Sequence, residues 1–276
     1  MSANTAHFYP ATFAVGGLRR RAQWHWPSDA DAPGLIIALH EGDHVGLTMA
    51  GRWAPYADRN VAIVCPTALR NPARAKLHGR KIVNPRAWAV PGDDRRCDGQ
   101  YPRQDIDLLI EIIDTAVDRG VDPAKVVVTG FSSGAELTWA ALHTIPYLLA
   151  AVAPCGRCLP VDPPWVGALV LGNTRPVSIL GQCGVDDITA PYEGGGTKGY
   201  GAAQYLDWWE TMRVAARAQG CTGTPVQGYT GKVATVEYVH PDPRISVVGQ
   251  AAEGVGHRWA GADARIWEWA HTIGAL

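Results

Sequence analysis

Val126-Val127-Val128-Thr129-Gly130-Phe131-Ser132-Ser133-Gly134-Ala135-Glu136-Leu137-Thr138 passes from β-branched residues, through two glycines, into residues that suit a helix. The first four predict a strand buried on both faces, and Glu136 to Thr144 predicts a helix close behind it. Between them Gly130, Ser132 and Gly134 spell G-x-S-x-G in the setting that motif requires, strand then tight turn then helix. The glycines have a steric reason. A serine presented this way sits on a strained turn with its oxygen projecting from the sheet, and side chains two residues to either side would meet strand or helix. The following helix aims its free N–H groups and positive dipole end at charge developing beside the serine. Ser132 is therefore the candidate nucleophile, against the alternative of a glycine-rich turn carrying an idle serine.

Outward from this stretch, short apolar runs recur at Leu35-Ile36-Ile37-Ala38-Leu39, Val61-Ala62-Ile63-Val64, Ala150-Ala151-Val152-Ala153 and Val177-Ser178-Ile179-Leu180, with Ile245-Ser246-Val247-Val248 as a sixth strand candidate. Helical spacing lies between them. Ile106, Leu109, Ile110, Ile113 and Val117 line one face, and Gly120 is placed to close that helix in a left-handed conformation. Ala202 to Ala218 and Ala262 to Ile273 predict two more helices. Strands alternating with helices predict an α/β fold with a mostly parallel central sheet covered on both faces. A chain of 276 residues can form this as a single domain, 1–276.

Ala68 to Gln104 interrupts the alternation. It is rich in proline and carries nine arginines and lysines against three aspartates. It reads either as a solvated loop or as a cap near the active site that touches an anionic or sugar substrate.

A serine nucleophile needs a base and a carboxylate, which in strand–turn–helix enzymes of this kind follow in the order serine, acid, histidine. Both belong on loops at the carboxyl ends of later strands. Gly184-Val185-Asp186-Asp187 follows the strand at Val177 to Leu180, and the residues alone leave the two aspartates in competition, because neighbours in extended chain face opposite sides. Gly254-Val255-Gly256-His257 follows the last strand candidate, with small residues that let the loop approach the serine. His257 fits better than His240, which Pro241 follows, or His271.

Composition narrows the class. Formal net charge is −1, with 47% hydrophobic and 18% charged residues, which suits a globular protein and supplies no field to draw nucleic acid or anionic lipid. No apolar stretch approaches the roughly 18 residues that span a bilayer. Met1 to His7 lacks the basic start and apolar run of a secretory signal, so a cytoplasmic location or release by a non-classical route is expected. Cys155 and Cys158 form a lone C-x-x-C among six cysteines. Two ligands fall short of the four that structural zinc demands, so buried thiols are expected, with a disulfide as the alternative.

Several segments resemble the polyhydroxybutyrate-depolymerase and feruloyl-esterase group of α/β hydrolases: Gly130 to Ala135, Val121-Asp122-Pro123-Ala124-Lys125-Val126, Gly184 to Tyr192 (similar to G-x-x-D-x-x-V-P-Y), Gly254 to Gly261 (similar to G-x-G-H-x-W-P-G) and Ala216 to Cys221. The similarity runs from about Leu35 to Trp269. It implies the α/β-hydrolase fold, picks Asp187 over Asp186, and implies a triad of Ser132, Asp187 and His257. It also implies an oxyanion hole made by the N–H of Ser133 and one from the loop after the first core strand. There this chain departs: Leu39-His40-Glu41-Gly42 carries Glu41 where the group has glycine. The donor is then Gly42, or Glu41 with a rearranged loop. A carboxylate there would oppose a developing oxyanion unless it faces outward or contacts substrate.

The implied activity is a serine esterase acting through an acyl-enzyme, with no metal or organic cofactor. Feruloyl or acetyl esters of polysaccharide come first as substrates and a short aliphatic polyester second. Among eleven tryptophans, Trp88 and Trp259 are the candidates for stacking on such a substrate, against the ordinary reading of core packing. An acyltransferase on the same triad and a catalytically silent binding or virion-associated protein, the latter prompted by Glu41, are the competing classes.

Overall fold

The computed structural model describes residues 8–28, 32–57, 59–71, 85–90, 103–161, 175–196 and 204–276. Among these residues twelve strands, β1 (Tyr9–Val15), β2 (Leu18–His25), β3 (Gly34–Leu39), β4 (Val61–Pro66), β5 (Val126–Phe131), β6 (Ala151–Cys155), β7 (Ser178–Gly184), β8 (Gly195–Gly196), β9 (Gln204–Tyr205), β10 (Val226–Thr230), β11 (Val233–Tyr238) and β12 (Val247–Ala252), alternate with five α-helices. The helices are α1 (Gly46–Trp53), α2 (Gln104–Asp118), α3 (Ser133–Thr144), α4 (Trp208–Ala218) and α5 (Ala262–Thr272). Ten strands form one sheet in the order β1-β2-β4-β3-β5-β6-β7-β12-β11-β10, while β8 and β9 pair separately. From β4 to β12 every neighbour is parallel, and antiparallel hairpins close both edges. The fold is α/β with a mostly parallel sheet, as expected.

The continuous apolar runs have a simple cause: both faces of the sheet are covered. Leu35, Ile37, Leu39, Val126 and Val128 point to the side packed by α2, α3 and α4, with Ile106, Leu109, Leu137 and Met212 against them. Ile36, Ala38, Ile63 and Val127 point to the other, where Met49 and Trp53 of α1 and Ile266 and Trp267 of α5 lie. Each such fully buried valine, leucine, isoleucine or methionine side chain contributes about 1.5–3 kcal/mol. Gly120 ends α2 with φ at +103°, the left-handed stop the sequence indicates.

Some elements differ from expectation. The fourth helix starts at Trp208 rather than Ala202, because the Asp207 side chain accepts the Glu210 N–H at 2.8 Å and sets its N-terminus, while Gln204–Tyr205 is already strand. The last parallel strand begins at Val247 and runs to Ala252; it alternates buried and half-buried residues, so its outer part lacks the apolar run that would have marked it. The outer hairpins and α1 were not anticipated. Most of Ala68 to Gln104 lies outside the described residues, and so does the cap expected there.

Arg20 of β2 points inward and pairs with Asp105 at the start of α2, both side chains essentially without exposure, and Asp105 also accepts the Ala89 N–H at 2.6 Å. Removing one partner strands a buried charge. Arg20→Met is expected to cost about 3–5 kcal/mol, or about 10 °C in Tm, by calorimetry. Arg20→Met with Asp105→Asn should recover part of this, because the amide still accepts from Ala89.

Candidate active site

The carboxyl ends of β3, β5, β7 and β12 meet at one rim of the sheet, and each delivers part of a single constellation. Ser132 follows β5 and caps α3 with φ +53° and ψ −114°, a positive-φ backbone that a non-glycine residue holds only under constraint. The constraint is visible. A Cβ on Gly130 would stand 2.4 Å from the Gly134 carbonyl carbon, and one on Gly134 would stand 2.4 Å from the Leu39 oxygen. The Ser132 N–H is fixed to the Cys155 carbonyl at 3.0 Å. Behind the turn, buried Glu136 ties α3 to its surroundings through Arg157 at 3.0 Å and the Tyr205 hydroxyl at 2.5 Å.

The loops after β7 and β12 are laced together. Val185 donates to Ala252 at 3.0 Å and Asp186 to Val255 at 3.1 Å, and a Cβ on Gly184 would come 2.1 Å from the Val255 oxygen. This brings Asp187 and His257 into contact, Oδ2 to Nδ1 at 2.6 Å, with His257 Nε2 2.9 Å from Ser132 Oγ. The Thr189 and Ala190 N–H groups both donate to Asp187 Oδ1 at 2.8 Å, leaving Oδ2 for the imidazole. Asp186, its rival, is exposed. His240 is engaged with Asp242 in a turn beyond β11, at the amino end of the parallel strands, where Tyr238 pairs with Val247. His271 stacks on Trp267 at the end of α5. Neither reaches Ser132.

Two expectations need correction. Trp88 offers no stacking surface: it is fully buried, donates its indole N–H to the His40 carbonyl at 2.7 Å, and packs against the His40 ring. It supports the loop after β3 from behind. Glu41 neither faces freely outward nor stands open to a substrate, because both of its oxygens are taken by Arg52 of α1, at 3.0 and 2.6 Å.

Trp259 stays at the site but is 7% exposed, its indole N–H held by Asp263 at 2.9 Å and its ring edge-on to Phe131. The loop after β3 is itself rigidly held. His40 accepts the Ala68 N–H on Nε2 at 3.0 Å, so its proton sits on Nδ1, 2.6 Å from the Glu41 backbone carbonyl oxygen. Burial pushes the His40 pKa down to about 4, which keeps it neutral. Asp43, with φ +65°, is anchored to Arg86 by its N–H at 2.8 Å and its carboxylate at 3.2 Å. Gly42 is half-buried between these anchors, and Ser133 opens α3, where the first N–H groups have no partner within the helix.

Phe131 and Arg52 had no role in the sequence reading. Phe131 was visible inside the motif, but Arg52 had no signal. Cys155 and Cys158 are free buried thiols, and burial pushes both up to about 12. Among the described residues no group of three or more histidines, cysteines or carboxylates could hold a metal ion. None of the described helices is long and apolar enough to cross a membrane.

The sheet order, with a serine, a histidine and an aspartate converging on its carboxyl rim, defines an α/β hydrolase. The chain belongs to the phospholipase/carboxylesterase family, whose model matches residues 27–206. Its fold is similar to that of an acetyl xylan esterase from Aspergillus awamori, with TM-score 0.67 and 17% identity over 98% of this chain and 100% of the other. Thermogutta terrifontis esterase 2 phosphorylated by paraoxon matches with TM-score 0.58 and 15% identity over 99% and 96%. Arabidopsis thaliana SOBER1 matches with TM-score 0.57 and 16% identity over 88% and 99%.

Proposed function

We propose that this protein is a serine carboxylic-ester hydrolase working through an acyl-enzyme on Ser132. The observation that carries the reading is the continuous relay from Ser132 Oγ to His257 Nε2 at 2.9 Å and from His257 Nδ1 to Asp187 Oδ2 at 2.6 Å. In this scheme His257 takes the Ser132 proton as the oxygen attacks the ester carbonyl. The oxyanion is met by the Ser133 N–H and by one from the Glu41–Gly42 turn, and each such donor is worth roughly 3 kcal/mol in the transition state. His257 then protonates the departing alcohol, water attacks the acyl group with His257 again as base, and Ser132 is freed. Asp187 holds the imidazole tautomer and stabilises its protonated form.

Small acyl groups on polysaccharide, acetyl before feruloyl, are the proposed substrates, with a short aliphatic polyester second. An acetyl xylan esterase that matches this fold along both whole chains supports that order. The test combines a fluorophosphonate probe with aryl esters of graded acyl length. Stoichiometric labelling at Ser132 and turnover that falls as the acyl chain lengthens are expected. An unlabelled, inert protein would favour a binding role instead. Acyl transfer to an added alcohol in preference to water would make it a transferase.

A further inference from the structure

Arg52 has no part in the scheme above, yet its guanidinium is built into the rim of the site. Besides its two-point grip on Glu41, it lies 5.8 Å from the Phe131 ring centre and 5.6 Å from that of Trp259. Phe131 precedes Ser132, and its ring packs 4.9 Å from that of His257. The ion pair therefore rests on side chains that flank both partners of the proton relay. Glu41 belongs to the loop packed directly on the Ser132 turn, where a Cβ on Gly134 would stand 2.9 Å from the His40 oxygen. The side chains are 25% and 13% exposed, so water screens this pair less than one on the open surface.

We propose that Arg52 is a positioning residue for ester hydrolysis, gripping the Glu41 carboxylate so that its charge stays compensated and apart from the oxyanion formed on the substrate. The inference rests on the esterase reading and adds to it a residue that touches no reacting atom. A loop that lends an N–H to an oxyanion is a poor place for a bare carboxylate, since like charges in a half-buried site repel strongly. Here the charge is kept and matched by a planar fork, which meets a carboxylate at two points and lies well against aromatic faces.

Among the described residues no other group facing Glu41 replaces it. His44 is 3.8 Å away on an exposed side chain, His40 is neutral, and Phe131 and Trp259 carry no charge. Burial alone would raise the Glu41 carboxyl, but the Arg52 hydrogen bonds and charge override it and hold the group below its usual range.

The test compares Arg52→Met, Glu41→Gln and the double variant on para-nitrophenyl acetate, with Ser132→Ala as the baseline. Arg52→Met should lower kcat about 100-fold at alkaline pH with KM nearly unchanged, because the oxyanion exists only in the transition state. The deficit should shrink as the pH is lowered, because Glu41, still half-buried and no longer held ionised by Arg52, takes up a proton more readily and becomes neutral. Adding Glu41→Gln should restore most of the lost kcat. If Arg52→Met fails to fold, Arg52→Lys serves, with a smaller loss and the same pH trend. Full kcat in Arg52→Met, or a pH-independent loss of equal size with and without Glu41→Gln, overturns the inference while the wild type still turns over. A wild type no faster than Ser132→Ala sinks the esterase reading and this inference together.

Discussion

Ser132→Ala is expected to lower kcat on a simple aryl ester by about a million-fold, while leaving Tm nearly unchanged. The substitution keeps the Cβ, so the positive-φ backbone at +53° and the packing around it are undisturbed. It removes the oxygen that forms the acyl bond and leaves His257 Nε2 without its partner. What remains is the rate supported by oxyanion donors and substrate binding alone, about 10³–10⁴ above water for enzymes of this design. Steady-state kinetics on protein free of wild-type carry-over decides it. Retention of even a hundredth of the wild-type rate, about 10⁴ above expectation, would remove Ser132 from the mechanism.

Asp187→Asn should cost about 10⁴-fold in kcat with little effect on KM, a smaller loss than that of the nucleophile. The structure says why the amide cannot simply substitute. The Thr189 and Ala190 N–H groups hold one side of the carboxylate, so an amide oxygen must stay there and its NH₂ must face His257. A donor then meets the proton on Nδ1, the imidazole changes tautomer, and Nε2 presents a hydrogen to Ser132 instead of a lone pair. Proton NMR of the imidazole N–H signals checks the tautomer independently of rate. An unchanged tautomer with full activity would show that Asp186 or another carboxylate does this work.

The central strands were legible because sterics and burial act locally: Leu35 to Leu39 has to be apolar throughout when helices cover both faces. The edges were not. In Leu18-Arg19-Arg20-Arg21 an inward-facing arginine, paired with Asp105 85 positions away, looks like charged loop. Yet the hairpin had a readable sign in Gly16-Gly17, both with positive φ, between Val15 and Leu18. Helix α1 is short and has no side-chain cap, and its apolar residues mark it only once β4 is there to receive them.

The same division runs through the site. Ser132 was legible because its demands are contained within five residues: a strained backbone, bare glycines and a helix start. Asp187 and His257 could be ordered along the chain but not joined. Their contacts span 70 and 125 positions and depend on two loops whose backbones lie too close for a side chain at Gly184. Trp88 and Trp259 look alike as letters. A place behind His40 for one and against Phe131 for the other emerges only from packing, which also turns Arg52 towards Glu41. Local steric rules are written in short stretches of residues, whereas charge compensation and ring stacking arise between segments that come together only when the sheet has formed.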